Sequence, residues 1–524
     1  MMTFYNTTGR LACAILFVWS VAATPSHASF QTEVEFNARA AEHLVNRAGF
    51  GAANDEIEAM VSAGLQATVD DLIGRALVEE LPFFVERLSP RDGIMKADGM
   101  SDEMSAMEDM EMGNARQQAK LEKEMRIRET DQRDRFLAWW VTNMRAGVDP
   151  LGERMTLFWH GWFTSSYRDV KSSFEMIEQN QLFRKFGIGN FGELLSSMTR
   201  NAAMLEYLDN DSNKRKQPNE NFARELMELF TLGEGQYTEE DVKNAARAFT
   251  GWSDRNGIFR FRRGQHDFGE KTLLGTTGDL DGDDVVEILL QQEACARFLA
   301  RGLLLYFEGV EPSSHRLEKY AVALRKHEYN VAEMLRELFQ DPAFYRDEVV
   351  GSRIAGPIDF LVGCARRLNL DPPGEALQMG AAALGQQLFE PPNVRGWEGG
   401  EAWITTGTVM MRSNLIGSYL GLLDMREELS DSARPMRALR RTRWDPVLNF
   451  TARLARESIE RDSEIVDYML DSLLAVSPAE DSRWTALKFM ETAREAGDLN
   501  AGEREHALRR LAHLILSLPE ANLN

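Results

Sequence analysis

The chain has 524 residues, 27% of them charged, and a formal net charge of −22. A surface that acidic repels phosphate backbones, which argues against nucleic acid as a general partner. Three cysteines over this length mean that a hydrophobic core, not a set of disulfide staples, must hold the fold.

Residues 1–28 read as a secretion signal. Arg10 gives a positive start, Leu11 to Ala23 a short apolar run, and Ser26-His27-Ala28 places small residues where signal peptidase needs them. The run is too short to span a bilayer, and no later segment reaches that length without charges. We expect export to the periplasm or beyond, with no transmembrane helix in the mature chain.

The remaining pattern is helical nearly throughout, an all-α chain with one small β-hairpin near 257–275. We divide it into a large domain over 29–430 and a C-terminal helical segment over 431–524, which either stands alone or continues the same core. AAEHLVNRAGFG (40–51) is an amphipathic helix stopped by Gly49 and Gly51, and Asn54 caps the next. Residues 92–118 interleave Met95, Met100, Met104, Met107, Met110 and Met112 with acids and read as a disordered insert. The charged run after it extends a helix that reaches Trp140. The thioethers would suit copper(I), but hard carboxylates dilute that argument and leave copper handling the weakest reading.

LGERMTLFWHGWFTSS (151–166) is an apolar helix carrying His160, either a core histidine or a polar group facing a site. Gly187 to Gly192 imitates a dinucleotide fingerprint, but a polar helical segment precedes it where a strand is required. In 207–252, Asn221, Arg224, Glu225 and Glu228 fall on one face of a helix whose other positions are largely apolar. Buried carboxylates need a partner. If Glu225 and Glu228 lie close together, one is protonated and one charged; an Arg224 pairing would instead keep both ionised. Asp209, Asp211, Asn213 and Glu220 match positions 1, 3, 5 and 12 of a calcium loop, although Lys214 replaces the turn glycine. A capped polar turn explains the same residues.

Ile258 to Arg262 alternates and pairs, on this reading, with Lys271 to Leu274. Between them, His266-Asp267 suits a general base or a ligand. Helices follow over 284–310, 314–340, 356–369, 375–388 and 408–428, with Cys295 and Cys364 in apolar helical contexts as one disulfide or two buried thiols. The loop Pro391 to Gly400 is too polar and glycine-rich for a core element. It presents Trp397, with Trp403 nearby and Trp252 elsewhere, and exposed tryptophans beside carboxylates suit a sugar-binding groove. The arginines at 434, 437, 440, 441 and 443 read as a solvated or salt-bridged helix face.

AAEHLVNRAGFG, RMTLFWHGWF, LDNDSNKRKQPNENFARELMELFTLGEGQYTEEDVKNAARAFTGW, HDFGEKTLLG and LFEPPNVRGWEGGEAWITT together resemble the bacterial family called domain of unknown function 1800, over about residues 38–415. Members resemble this chain in helical content and are generally exported, often encoded beside a family similar to sulfatases and alkaline phosphatases. The resemblance brings no established reaction. The family commonly shows F-W-H-x-H-F, whereas Trp162 stands here for the second histidine, so a mechanism needing both is doubtful.

The leading expectation is an enzyme-like protein acting on envelope or extracellular material such as polysaccharide. Glu225 or Glu228 would be acid and base, with His160, His266, Asp267 and Arg224 assisting. Trp252, Trp397, Trp403, Asn221, Asn393 and Lys271 would contact substrate, and calcium is the candidate cofactor on Asp209, Asp211, Asn213 and Glu220. The alternative is a non-catalytic assembly factor for an exported sulfatase-like partner.

Overall fold

The computed structural model describes residues 34–75, 82–88, 104–255, 257–422, 444–495 and 500–524. The signal reading, the first half of the methionine-rich insert and the arginine run lie outside the described residues. Among the described residues no helix is long and apolar enough to cross a membrane.

Helices dominate, and sheet is confined to two two-stranded hairpins. Local sequence explains where helices start. Asp149 accepts from Gly152 N–H ahead of Pro150–Trp162, whose first residue is the favoured N1 proline. Thr238 and Asp241 close a reciprocal box at the start of Glu239–Ala248, as their spacing predicts. Asn54 differs from expectation. It is the first helical residue, Glu56 accepts from Ala53 N–H, and the Asn54 amide bonds Ser472.

Residues 104–118, read as unstructured, belong to one long helix, Met104–Ala146. Their Met, Ala, Glu and Gln are strong helix formers, and polarity alone does not distinguish an exposed helix from a disordered run. The expected single hairpin is corrected to two. Trp252–Asp254 (β1) pairs with Phe259–Phe261 (β2), and Lys271–Leu273 (β3) pairs with Thr276–Gly278 (β4). Each strand closes on its nearest neighbour, through Gly257 (φ +72°) in one case and Leu274-Gly275 (φ +48° and +87°) in the other. Short loops cost less closure entropy than the longer 262–270 connection would.

One body of apolar packing gathers the helices from Pro150 to Phe339 around Trp159, Phe163, Phe191, Phe222 and Phe230. A second joins Phe136, Trp140 and the Pro357–Arg367 helix to Leu470, Leu511 and Ile515 of the C-terminal helices. Cys295 and Cys364 are free buried thiols, and burial pushes them up to about 12 and about 11.

Candidate functional site

The helix at the centre of the 207–252 polar stretch changes pitch part-way along its length. Asn221–Glu225 is α-helical, but Leu226–Thr231 winds as a π-helix. Wider turns carry Glu228 off the stripe that α spacing predicts. Arg224 turns to Glu220 (3.1 Å) and Glu239 (2.7 and 2.9 Å), and Asn221 bonds Leu208 O. Glu228 instead accepts from Arg395 (2.8 Å) and from the Tyr237 hydroxyl (3.0 Å). Glu225 is half-buried. Burial, then the Glu228 charge, raises its pKa, against the smaller opposing influence of Arg395 and Arg224. Arg395, not Arg224, is the cation paired with Glu228.

Arg395 lies on the loop that the Pro-Pro and glycine pattern marks as rigid. Asn393 shapes this loop by accepting from Arg395 N–H (2.8 Å). Gly396 has φ +77°, and a Cβ there would sit 2.5 Å from Gly161 O, so glycine is needed for the loop to reach the Pro150–Trp162 helix. Next in chain, Trp397 packs on His160 with ring centroids 5.5 Å apart. His160 is fully buried, its Nε2 accepts from Phe389 N–H (3.0 Å), and burial lowers its pKa to about 3. That bond fixes Phe389 at φ +64°, a left-handed conformation strained for an aromatic residue. In this arrangement His160 supports Phe389 and Trp397 from behind the cleft lining.

The loop forms one wall of a cleft of about 780 Å³ between the ends of several helices. Aromatic walls come from Trp162, Trp397, Trp403 and Tyr306, and charged groups from Arg301, Arg353, Asp359, Arg395, Glu398 and Glu401. Trp162 lies against Gly302, where a Cβ would come within 2.2 Å of the ring. Its indole donates to Phe230 O (3.3 Å), inside the π-turn. Arg395 thus belongs to the cleft and is paired with Glu228, and Trp162 joins the cleft to the backbone of the segment that carries Glu228. Gln386 is 8% exposed, and its Oε1 accepts from Ile358 N–H (2.9 Å). Among the described residues its amide nitrogen has no partner. The Trp397 Nε1 and Arg353 Nη1 atoms are likewise buried without one.

A model of the family "Protein of unknown function (DUF1800)" matches residues 43–523. The chain belongs to this family. No curated protein and no solved structure matches it. In this DUF1800 chain the position of the expected second histidine is filled by a tryptophan with two structural duties, the wall of the cleft and the bond to Phe230 O.

Other residues singled out in the sequence lie apart from the cleft. His266 is buried between Phe261 and Phe268, with Nδ1 2.8 Å from Thr250 O. Asp267 binds Arg247 (2.7 Å), a bond that chiefly accounts for its lowered pKa. Lys271 is buried, bonds Gly269 O (3.0 Å) and lies 3.6 Å from Asp279; burial lowers its pKa. These three form a knot around the hairpins. Trp252 is core, packed on Phe249 and Phe259, with Arg200 over its ring at 4.7 Å.

In the loop after Tyr207, Asp209 adopts φ +57° and its backbone carbonyl accepts from Asn219. Asp211 accepts from Asp254 N–H (2.5 Å), and Asn213 bonds Asn210, Ala246 O and Asn219 N–H. Glu220 pairs with Arg224. Among the described residues, no group of three or more His, Cys, Asp or Glu side chains is placed to hold a metal ion. Sequence reasoning missed Arg395, Tyr237, Gln386 and Arg353. Only Arg395 carried a local signal, a lone cation between Pro-Pro and Gly-Trp.

Proposed function

We propose that this chain binds saccharide of the cell envelope or its surroundings in the aromatic cleft. The observation that carries this reading is the set of Trp162, Trp397, Trp403 and Tyr306 around one open space, with polar groups set among them. Flat apolar rings match the C–H faces of a pyranose, while Gln386 and Arg353 offer donors to hydroxyl oxygens. Export follows from the reading of residues 1–28 as a secretion signal.

A hydrolytic step is supported by one further feature, the half-buried Glu225 carboxyl, whose pKa burial raises, close to Glu228, which is ion-paired with Arg395. Glu225 would give its proton to the glycosidic oxygen as the C–O bond breaks. Glu228 would take a proton from the attacking water, so that one water is consumed for each bond cleaved.

The test pairs binding with turnover. Trp397→Ala and Trp403→Ala are each expected to weaken oligosaccharide binding up to about tenfold, the worth of one stacked ring. Unchanged affinity in both overturns the cleft as the site. New reducing ends from the parent chain but not from Glu225→Gln support hydrolysis; binding with no release limits the function to recognition. A stoichiometric sulfatase-like partner from the native host, with no saccharide binding, replaces this reading with an assembly role.

A further inference from the structure

We infer that the cleft prefers an amine-bearing, cationic saccharide over a neutral or acidic one, an inference that rests on the saccharide reading above. The charges lining the cleft carry it. Each of the three cations makes an ion pair within the protein. Arg301 makes two bonds to Glu311, both 2.7 Å. Arg353 binds Asp359 (2.8 Å), and Arg395 binds Glu228 (2.8 Å) and Glu234 (3.0 Å). Asp359 is answered in turn by Arg154 and Arg353.

Two carboxylates of the cleft lack such a pair among the described residues. Glu398 and Glu401 line the cleft, are exposed, and make no ion pair or side-chain hydrogen bond among the described residues. Glu398 directly follows Trp397, and Glu401 precedes Trp403 by two positions, so both carboxylates ride on the segment that carries two of the rings. An ammonium group beside this segment meets negative charge and the negative faces of the indoles together. A uronate or sulfate group would meet repulsion from the same pair, reinforced by the net charge of −22.

The floor provides for the rest of the sugar. Gly356 has no side chain. Around the point where its Cβ would lie are Gln386 Oε1 (3.5 Å), Asp359 Oδ2 (3.5 Å) and Trp403 Nε1 (3.6 Å). The buried Gln386, held by Ile358 N–H, keeps its amide nitrogen without a protein partner beside this floor. That is a donor fixed in place for a hydroxyl oxygen.

Calorimetric titration of the full chain at pH 6 tests the inference with four probes of equal length. These are a β-1,4-linked glucosamine oligomer, its N-acetylated counterpart, a neutral glucose oligomer and a galacturonate oligomer. The free-amine oligomer is expected to bind roughly tenfold tighter than the acetylated one, the combined worth of exposed ion pairs and a cation–π contact. Raising the salt concentration should shrink that margin. Glu398→Gln/Glu401→Gln should abolish the margin between the amine and acetylated oligomers. Equal binding of the amine and acetylated oligomers, or a margin that survives the double variant, overturns the charge preference and leaves the saccharide cleft standing. Failure of all four probes to bind overturns both.

Discussion

Replacing Asp359 with asparagine removes one unit of charge from the most enclosed ion pair beside the cleft. Arg154 is fully buried; it binds Asp359, Gly49 O and Asn46 O (3.1 Å), and its guanidinium lies 4.1 Å from the centre of the Phe50 ring. Burial alone would raise the Asp359 pKa, but Arg154 and Arg353 outweigh it and hold the carboxyl below its ordinary value. Its contribution to stability is therefore present above the ordinary carboxylate range and lost as pH falls through the lower, folded-state pKa. In Asp359→Asn the Arg154 cation stays buried with no counter-charge, a loss of about 3–5 kcal/mol. The Arg353 side chain is 17% exposed and its pairing adds about 1 kcal/mol or less. Domains are commonly stable by about 5–15 kcal/mol, so the loss is a large share of the total. Urea unfolding at pH 7 measures it as a lowered midpoint at unchanged slope. The apolar double variant Arg154→Met/Asp359→Leu should recover most of the loss, because it removes both charges together. A midpoint for Asp359→Asn within about 1 kcal/mol of the parent, or a double variant no better than the single, refutes the reasoning.

Stability should be highest between about pH 4.5 and 6.5. Burial lowers His43 and His160 to about 3, so their contribution is present above 6.5 and declines as pH falls. Burial, in each case the largest cause, raises Glu42 to about 7 and Glu175 to about 8, so theirs is present below 4.5 and lost as pH rises through 7 to 8. Thermal midpoints across pH should show a plateau with two declining limbs, and Glu175→Gln should flatten the alkaline limb; a maximum above pH 8 counts against these assignments. His160→Leu leaves the Phe389 N–H unpaired beside a left-handed residue, and should cost about 1–3 kcal/mol in urea unfolding and weaken cleft binding through Trp397; no change in either sinks the positioning role. Gly302→Ala puts a methyl 2.2 Å from the Trp162 ring, and should cost about 1–3 kcal/mol and shift the tryptophan emission. An unshifted spectrum at full stability would mean that the ring is not seated there.

The helical architecture was readable because apolar periodicity and caps are local properties, and the Thr238 cap falls where its spacing from Asp241 marks it. The pitch change at Leu226 was not. A π-turn depends on which distant groups take up its carbonyls, and Trp162 lies 68 positions before Phe230. The same limit hid the bond from Arg395 to Glu228, which spans 167 positions. The tryptophans show the boundary clearly. Trp397 and Trp403 sit in polar, glycine-rich sequence and line the cleft, whereas Trp252, equally tempting in isolation, is 3% exposed because two hairpin strands and Phe249 enclose it. The residues of β2 and β3 were recognised, but their partners Trp252–Asp254 and Thr276–Gly278 were not, because the pairing was set by the two tight turns at Gly257 and Leu274-Gly275.

Thr231 Oγ1 bonds Leu226 O (2.7 Å) and the Trp162 indole bonds Phe230 O, so side chains complete the ladder of the 226–231 segment. The aromatic plate at 162 therefore works as a stop on a screw thread: it fixes how far that segment is unwound. One indole therefore joins the wall of the cleft to the backbone of the segment that carries Glu228.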